Sequence, residues 1–179
     1  GLVQSVRGLS DGSGMTVTIA RMMRLGLSIR GHGYHPAAWR HPDVPADGTL
    51  NVAHYVNSAR IAERGKMDMV FFADGAGIRQ GDTPAGSLPR TGRDMLELEP
   101  TMILPALAMV TQHVGLVTTA STTYNEPYNV ARKFATLDLI SGGRSGWNVV
   151  TSWSEAEALN FGRDEQLDYD ARYARARLR

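Results

Sequence analysis

The chain has 179 residues, 42% hydrophobic and 21% charged, which suits one globular domain with a sizeable core. A net charge of +1 supplies no field that favours nucleic acid or an anionic membrane. The chain has no cysteine, which excludes disulfides, thiolate metal sites and cysteine nucleophiles, and no apolar run approaches the roughly 18 residues of a membrane helix.

Residues 1–14 are rich in Gly and Ser and lack the charged start and long apolar centre of a signal peptide. A flexible leader is expected there, ahead of a domain over 15–179 in a cytoplasmic protein. Residues 24–29, with Leu25, Leu27 and Ile29 alternating, predict a first strand. A loop over 30–48 follows, holding His32, Tyr34, His35, Trp39 and His41. Pro36, Pro42 and Pro45 exclude a regular element there, and with it a helical His-x-x-x-His metal pair, so no metal is expected. Val52, Tyr55, Val56 and Ala59 stand at helical spacing and predict a helix over 50–64 that Gly65 ends. The second strand, 69–73, is apolar throughout, as in a strand buried on both faces, and leads into Asp74-Gly75. A long loop over 76–98 suggests a functional insertion. A helix begins at Pro100 and runs to about residue 112. The third strand covers 114–119. Asn125 is positioned to cap a helix over 127–140 that Gly142 closes. A fourth strand covers 146–151, and a last helix begins near Asp168.

Strands alternating with helices at this spacing imply a parallel sheet. Each strand ends in polar residues, which is the pattern of an α/β barrel of the (β/α)8 type, with function at the C-terminal ends of the strands. Such a barrel needs about 250 residues, so four β/α units read as the N-terminal half of one, with two open strand edges.

Candidate site residues follow from those strand ends. Asp74 either caps the Gly75 turn or faces the barrel mouth. Alternation places Thr119 with Val117 and Ser121 on one face of the third strand. Asn148 and Ser152 stand four apart and are expected on one face, with Ser152 the more exposed; they either tie strands together or bond the edge of a polar heterocycle. Tyr169 and Tyr173, at i and i+4 on the last helix, are either core or ligand contacts. Rossmann and phosphate-loop patterns are missing.

Two segments carry a more specific signal: Tyr124-Asn125-Glu126-Pro127-Tyr128-Asn129-Val130-Ala131-Arg132 and Ser141-Gly142-Gly143-Arg144-Ser145-Gly146-Trp147-Asn148-Val149-Val150-Thr151-Ser152. They resemble the flavin-dependent monooxygenases of the bacterial-luciferase superfamily, in the branch of nitrilotriacetate and dibenzothiophene-sulfone monooxygenases. The resemblance covers about residues 22–179. It implies a two-component monooxygenase that takes FMNH2 from a separate NAD(P)H:flavin reductase and inserts one atom of O2 into a small organic substrate. It also implies a homo-oligomer and flavin contacts at Asp74, Thr119, Asn148, Ser152, Tyr169 and Tyr173. The family commonly has histidine where Tyr169 stands. His35, in the loop that lines the substrate end of the pocket, is the expected catalytic contact. Two alternatives stay open: a deazaflavin-dependent oxidoreductase of the same superfamily, and a truncated non-catalytic fragment.

Overall fold

The computed structural model describes residues 23–35, 37–77 and 96–177. The expected leader, and residues 78–95 of the expected long loop, lie outside the described residues. The short apolar runs become β1 (Gly26–Ser28), β2 (Met69–Phe72), β3 (Gly115–Ser121) and β4 (Ser145–Val150). They form one sheet in the order β1-β2-β3-β4, and every neighbouring pair is parallel, as the alternation of elements predicts. The connecting helices are α1 (Val52–Arg64), α2 (Pro100–Ala108) and α3 (Pro127–Ser141), followed by α4 (Glu155–Asn160) and α5 (Tyr169–Ala176). The fold is thus α/β with a parallel sheet, four units of the (β/α)8 type.

Register decides the two faces. Leu27 pairs with Val70, Val70 with Leu116, and Phe72 with Thr118, so these side chains share one side of the sheet. There they meet Tyr55, Ala59 and Ala62 of α1 and Ile103, Leu104 and Leu107 of α2 in the core. Leu104, Leu107, Leu116 and Val70 are fully buried, and each such side chain contributes roughly 1.5–3 kcal/mol relative to exposure. The opposite, inner face carries Met69, Phe71, Val117, Thr119, Ser121, Asn148 and Val150 by the same alternation. The second strand is therefore buried on one side rather than two: Val70 and Phe72 are core, Met69 is exposed and Phe71 half-buried.

Several ends differ from the sequence reading. Gly65 does close α1 but at φ −74°, and the left-handed residue is Lys66 at φ 59°. Glu126, not Asn125, is the N-terminal cap position of α3; the Asn125 amide instead donates to Ser121 O at 2.9 Å. Helix α2 stops at Ala108, short of residue 112. Carbonyls at and beyond its end go to the Arg144 guanidinium, which donates to Ala108 O and Thr111 O at 3.1 Å each, and to Val114 O at 2.9 Å. Helix α4 falls inside what reads as a loop. Gly142 closes α3 at φ 67° as expected, and Asp168 caps α5 by accepting from Ala171 N at 2.8 Å.

Candidate functional site

The C-terminal ends of β3 and β4 form a polar rim. Thr119 and Asn148 are direct partners in the strand register, and the Asn148 amide donates to Thr119 Oγ at 2.9 Å. One step further along, the hydroxyls of Ser121 and Ser152 are hydrogen-bonded at 2.8 Å. Beyond them Thr122 Oγ donates to Val150 O at 3.1 Å and Thr123 Oγ to Thr151 O at 2.6 Å. The Thr119–Asn148 bond uses one amide proton. It does not use the threonine hydroxyl proton, the second amide proton or Asn148 Oδ1.

The face assignment of Thr119 from alternation holds, and Asn148 joins it there. Ser152 differs from expectation. The strand ends at Val150, and Ser152 sits at φ 55°, in the left-handed region that a non-glycine residue seldom adopts. The period-two rule no longer applies past that point. Ser152 is consequently 5% exposed, whereas Asn148 is exposed, the reverse of the order read from sequence.

Beside the rim lies a cleft of about 230 Å³ walled by Asp74, Gly77, Val150, Ser152, Trp153 and Glu157. Asp74 combines both of its sequence readings: Oδ1 accepts from Gly75 N at 2.8 Å, and the residue lines the cleft. Thr119 and Asn148 lie outside the cleft wall, deeper along the same sheet face. Two wall residues escaped sequence reading. Trp153 is 82% exposed. Glu157 is buried, and its carboxylate accepts from Ala76 N at 3.0 Å. Asn160 donates to Ala76 O at 2.7 Å, so α4 holds the segment after β2 from both sides. A Cβ at Gly77 would stand 2.6 Å from Glu157 N, and only glycine lets the two segments approach so closely. No periodicity marks Glu157 over its neighbour Glu155; only the contact with Ala76 distinguishes them.

The rings of Tyr169 and Tyr173 meet on α5 at a tilt of 33°, centroids 4.4 Å apart, which realises their i, i+4 spacing. They are 62% and 41% exposed, so they are not core in this structure. His35 is exposed, outside the cleft, and its Nδ1 accepts from Ala37 N at 3.1 Å. Among the described residues no group of three His, Asp or Glu side chains is placed to hold a metal ion. Nor is any helix among them long and apolar enough to cross a membrane. Hydroxyls, an amide and the Asp74 carboxylate at strand ends, with the Glu157 carboxylate of α4 beside them, form a donor and acceptor set suited to the edge of a planar polar heterocycle.

Comparison with known proteins shows the family. The family described as luciferase-like monooxygenase matches residues 30–177. The N-acetyl-S-(2-succino)cysteine monooxygenase of Bacillus subtilis (strain 168) is 46% identical over 156 residues, 87% of this chain and 34% of that protein. Nitrilotriacetate monooxygenase component A of Aminobacter aminovorans is 46% identical over 160 residues, 87% of this chain and 35% of that protein. A crystal structure of riboflavin lyase with modified FMN and riboflavin superimposes with a TM-score of 0.75 at 34% identity, covering 87% of this chain and 36% of that one. The chain spans about a third of the length of the curated relatives it matches.

Proposed function

Since this chain belongs to the luciferase-like monooxygenase family, we propose that it supplies half the barrel of a monooxygenase that uses reduced FMN to insert one atom of O2 into a small organic substrate. When bound, reduced FMN supplies the two electrons that leave one oxygen atom in the substrate and the other in water. A separate NAD(P)H:flavin reductase delivers it, the reaction runs in the cytoplasm, and the enzyme is a homo-oligomer. The observation that carries this reading is the rim: Thr119 bonded to Asn148, Ser121 bonded to Ser152, and the Asp74 carboxylate in the adjoining cleft.

The donor set fits a flavin. Its ring edge offers both carbonyl acceptors and N–H donors. Asp74 accepts, Asn148 does both, and Thr119 and Ser152 supply hydroxyls. Tyr169 and Tyr173 take the ribityl or phosphate end, and His35 takes the substrate side. The protein orients the ring and excludes water; the flavin carries the oxidation. The deazaflavin alternative is not favoured, since the relatives above are named monooxygenases.

Flavin fluorescence titration of the full-length protein tests this. Saturable FMN binding is expected. Tyr173→Phe should weaken it roughly ten- to a hundredfold, the equivalent of about 1.5–3 kcal/mol for a hydrogen bond to a charged group. The isolated 179-residue chain should bind poorly, because barrel enzymes frequently build phosphate sites after strands seven and eight. A full-length protein that does not bind FMN overturns the proposal.

A further inference from the structure

The geometry points to Arg172 and Arg175 as positioning residues of the rim: from α5 they clamp backbone carbonyls at the ends of β4 and β3, and so fix both the left-handed Ser152 and the orientation of the tyrosine pair. The inference rests on the flavin reading above.

Arg172 Nη1 donates to Ser152 O, and its Nε to Asp168 O at 3.3 Å. Arg175 Nε donates to Thr122 O at 3.2 Å and Thr123 O at 2.9 Å, while its Nη2 pairs with Glu126 Oε1 at 2.8 Å. All three acceptor carbonyls belong to residues just past their strands, where the ladder no longer supplies a donor. A guanidinium satisfies such groups with a planar fork that an ammonium lacks. At about 100° per residue, Arg172 stands roughly 60–100° around α5 from Tyr169 and Tyr173, and Arg175 roughly 120–160°. Seating the arginines therefore sets the direction of the aromatic pair. Ser152 depends on the same clamp. Its backbone is held at φ 55° while its hydroxyl reaches Ser121. A left-handed serine persists only where its surroundings over-determine it, and Arg172 is one of those determinants.

A merely structural latch would affect stability and leave flavin affinity alone, which gives the test its form. In the full-length protein, FMN affinity is titrated by flavin fluorescence for Arg172→Lys, Ser152→Ala, Tyr173→Phe and the double variant Arg172→Lys/Ser152→Ala, with thermal midpoints measured alongside. Arg172→Lys keeps the charge and loses the fork. It should weaken FMN binding about tenfold while lowering the midpoint by only a few degrees. The double variant should bind no more weakly than the worse single one, because residues acting as one unit are not additive. Carbon-13 shifts of labelled Ser152, which report its backbone conformation without any flavin, should move toward extended values in Arg172→Lys. Wild-type affinity in Arg172→Lys, fully additive losses, or an unchanged Ser152 shift would each overturn the latch. If Ser152→Ala and Tyr173→Phe leave FMN affinity unchanged, the flavin reading fails and the latch with it. If those two weaken binding and Arg172→Lys does not, only the latch falls.

Discussion

The two ends of the sheet are built from different chemistry. At the N-terminal ends of the strands, ionised side chains close off backbone groups. Arg144 donates to four carbonyls, Ser141 O among them, and to the Thr111 hydroxyl. Glu63 accepts from the backbone N–H groups of Gln112, His113 and Val114 at 2.6–3.1 Å. Asp68 accepts from Leu25 N and pairs with Arg24. At the C-terminal ends Arg172 and Arg175 also take backbone carbonyls, but there hydroxyls and an amide bond to one another as well, beside an open cleft. A guanidinium saturated by carbonyls has little left to give a ligand. Hydroxyl pairs exchange partners cheaply, since a neutral hydrogen bond nets only about 0.5–1.5 kcal/mol. In a barrel the first end reads as stability and the second as function.

The largest expected effect comes from removing the clamp at the closed end. Arg144→Met strips donors from four carbonyls in a half-buried site and should cost about 3–5 kcal/mol, a large part of a domain's total stability. Urea unfolding measures it. A loss below about 1 kcal/mol would break the contrast, because the backbone at that end would then be satisfied without the guanidinium.

Glu63 provides a pH handle on the same end. Burial pushes its carboxyl up, but the N–H groups of His113, Gln112 and Val114, with the His113 charge, outweigh that and hold it below its ordinary 4.5. Its contribution is therefore complete above pH 4.5 and is lost as pH falls through the lower folded-state value. Glu63→Gln should cost about 1–2 kcal/mol at pH 7. The gap between wild type and variant should close on acidification below that point. A gap that widens in acid would contradict the three-donor geometry.

The fold was largely legible, and the reason is local. Strand–helix alternation predicted four parallel strands in sequence order, and the apolar runs predicted their cores. Alternation also placed Thr119 on the inner face, because that residue lies within a strand. It failed at Ser152, two residues beyond the last strand residue, where the chain turns left-handed. Glu157 and the Arg172–Ser152 contact depend on segments many residues apart, which no local period encodes. Arg144 stood in the motif that carried the family resemblance, yet its four carbonyl partners come from three places in the chain. Asn125 looked like a cap by residue type, but Ser121 O claimed its amide.

The smallest effects compare the two left-handed non-glycine residues among the described residues, one at each end: Lys66 at φ 59° before β2, and Ser152 at φ 55° after β4. Left-handed backbone costs an L-residue about 1–2 kcal/mol, and glycine avoids it at an entropic cost of roughly 0.5–1 kcal/mol. Lys66 is exposed and holds nothing at the rim, so Lys66→Gly should stabilise by about 0.5–1 kcal/mol and leave FMN binding of the full-length protein unchanged. Ser152→Gly relieves the same strain but loses the hydroxyl bond to Ser121, a loss of about 1 kcal/mol. Its net stability change should be near zero, and its FMN affinity should fall. Strain that relaxes without consequence at one end and at the expense of binding at the other would tie the left-handed serine to the ligand. Equal behaviour of the two glycine variants in both measurements would make Ser152 an ordinary turn residue and remove it from the site.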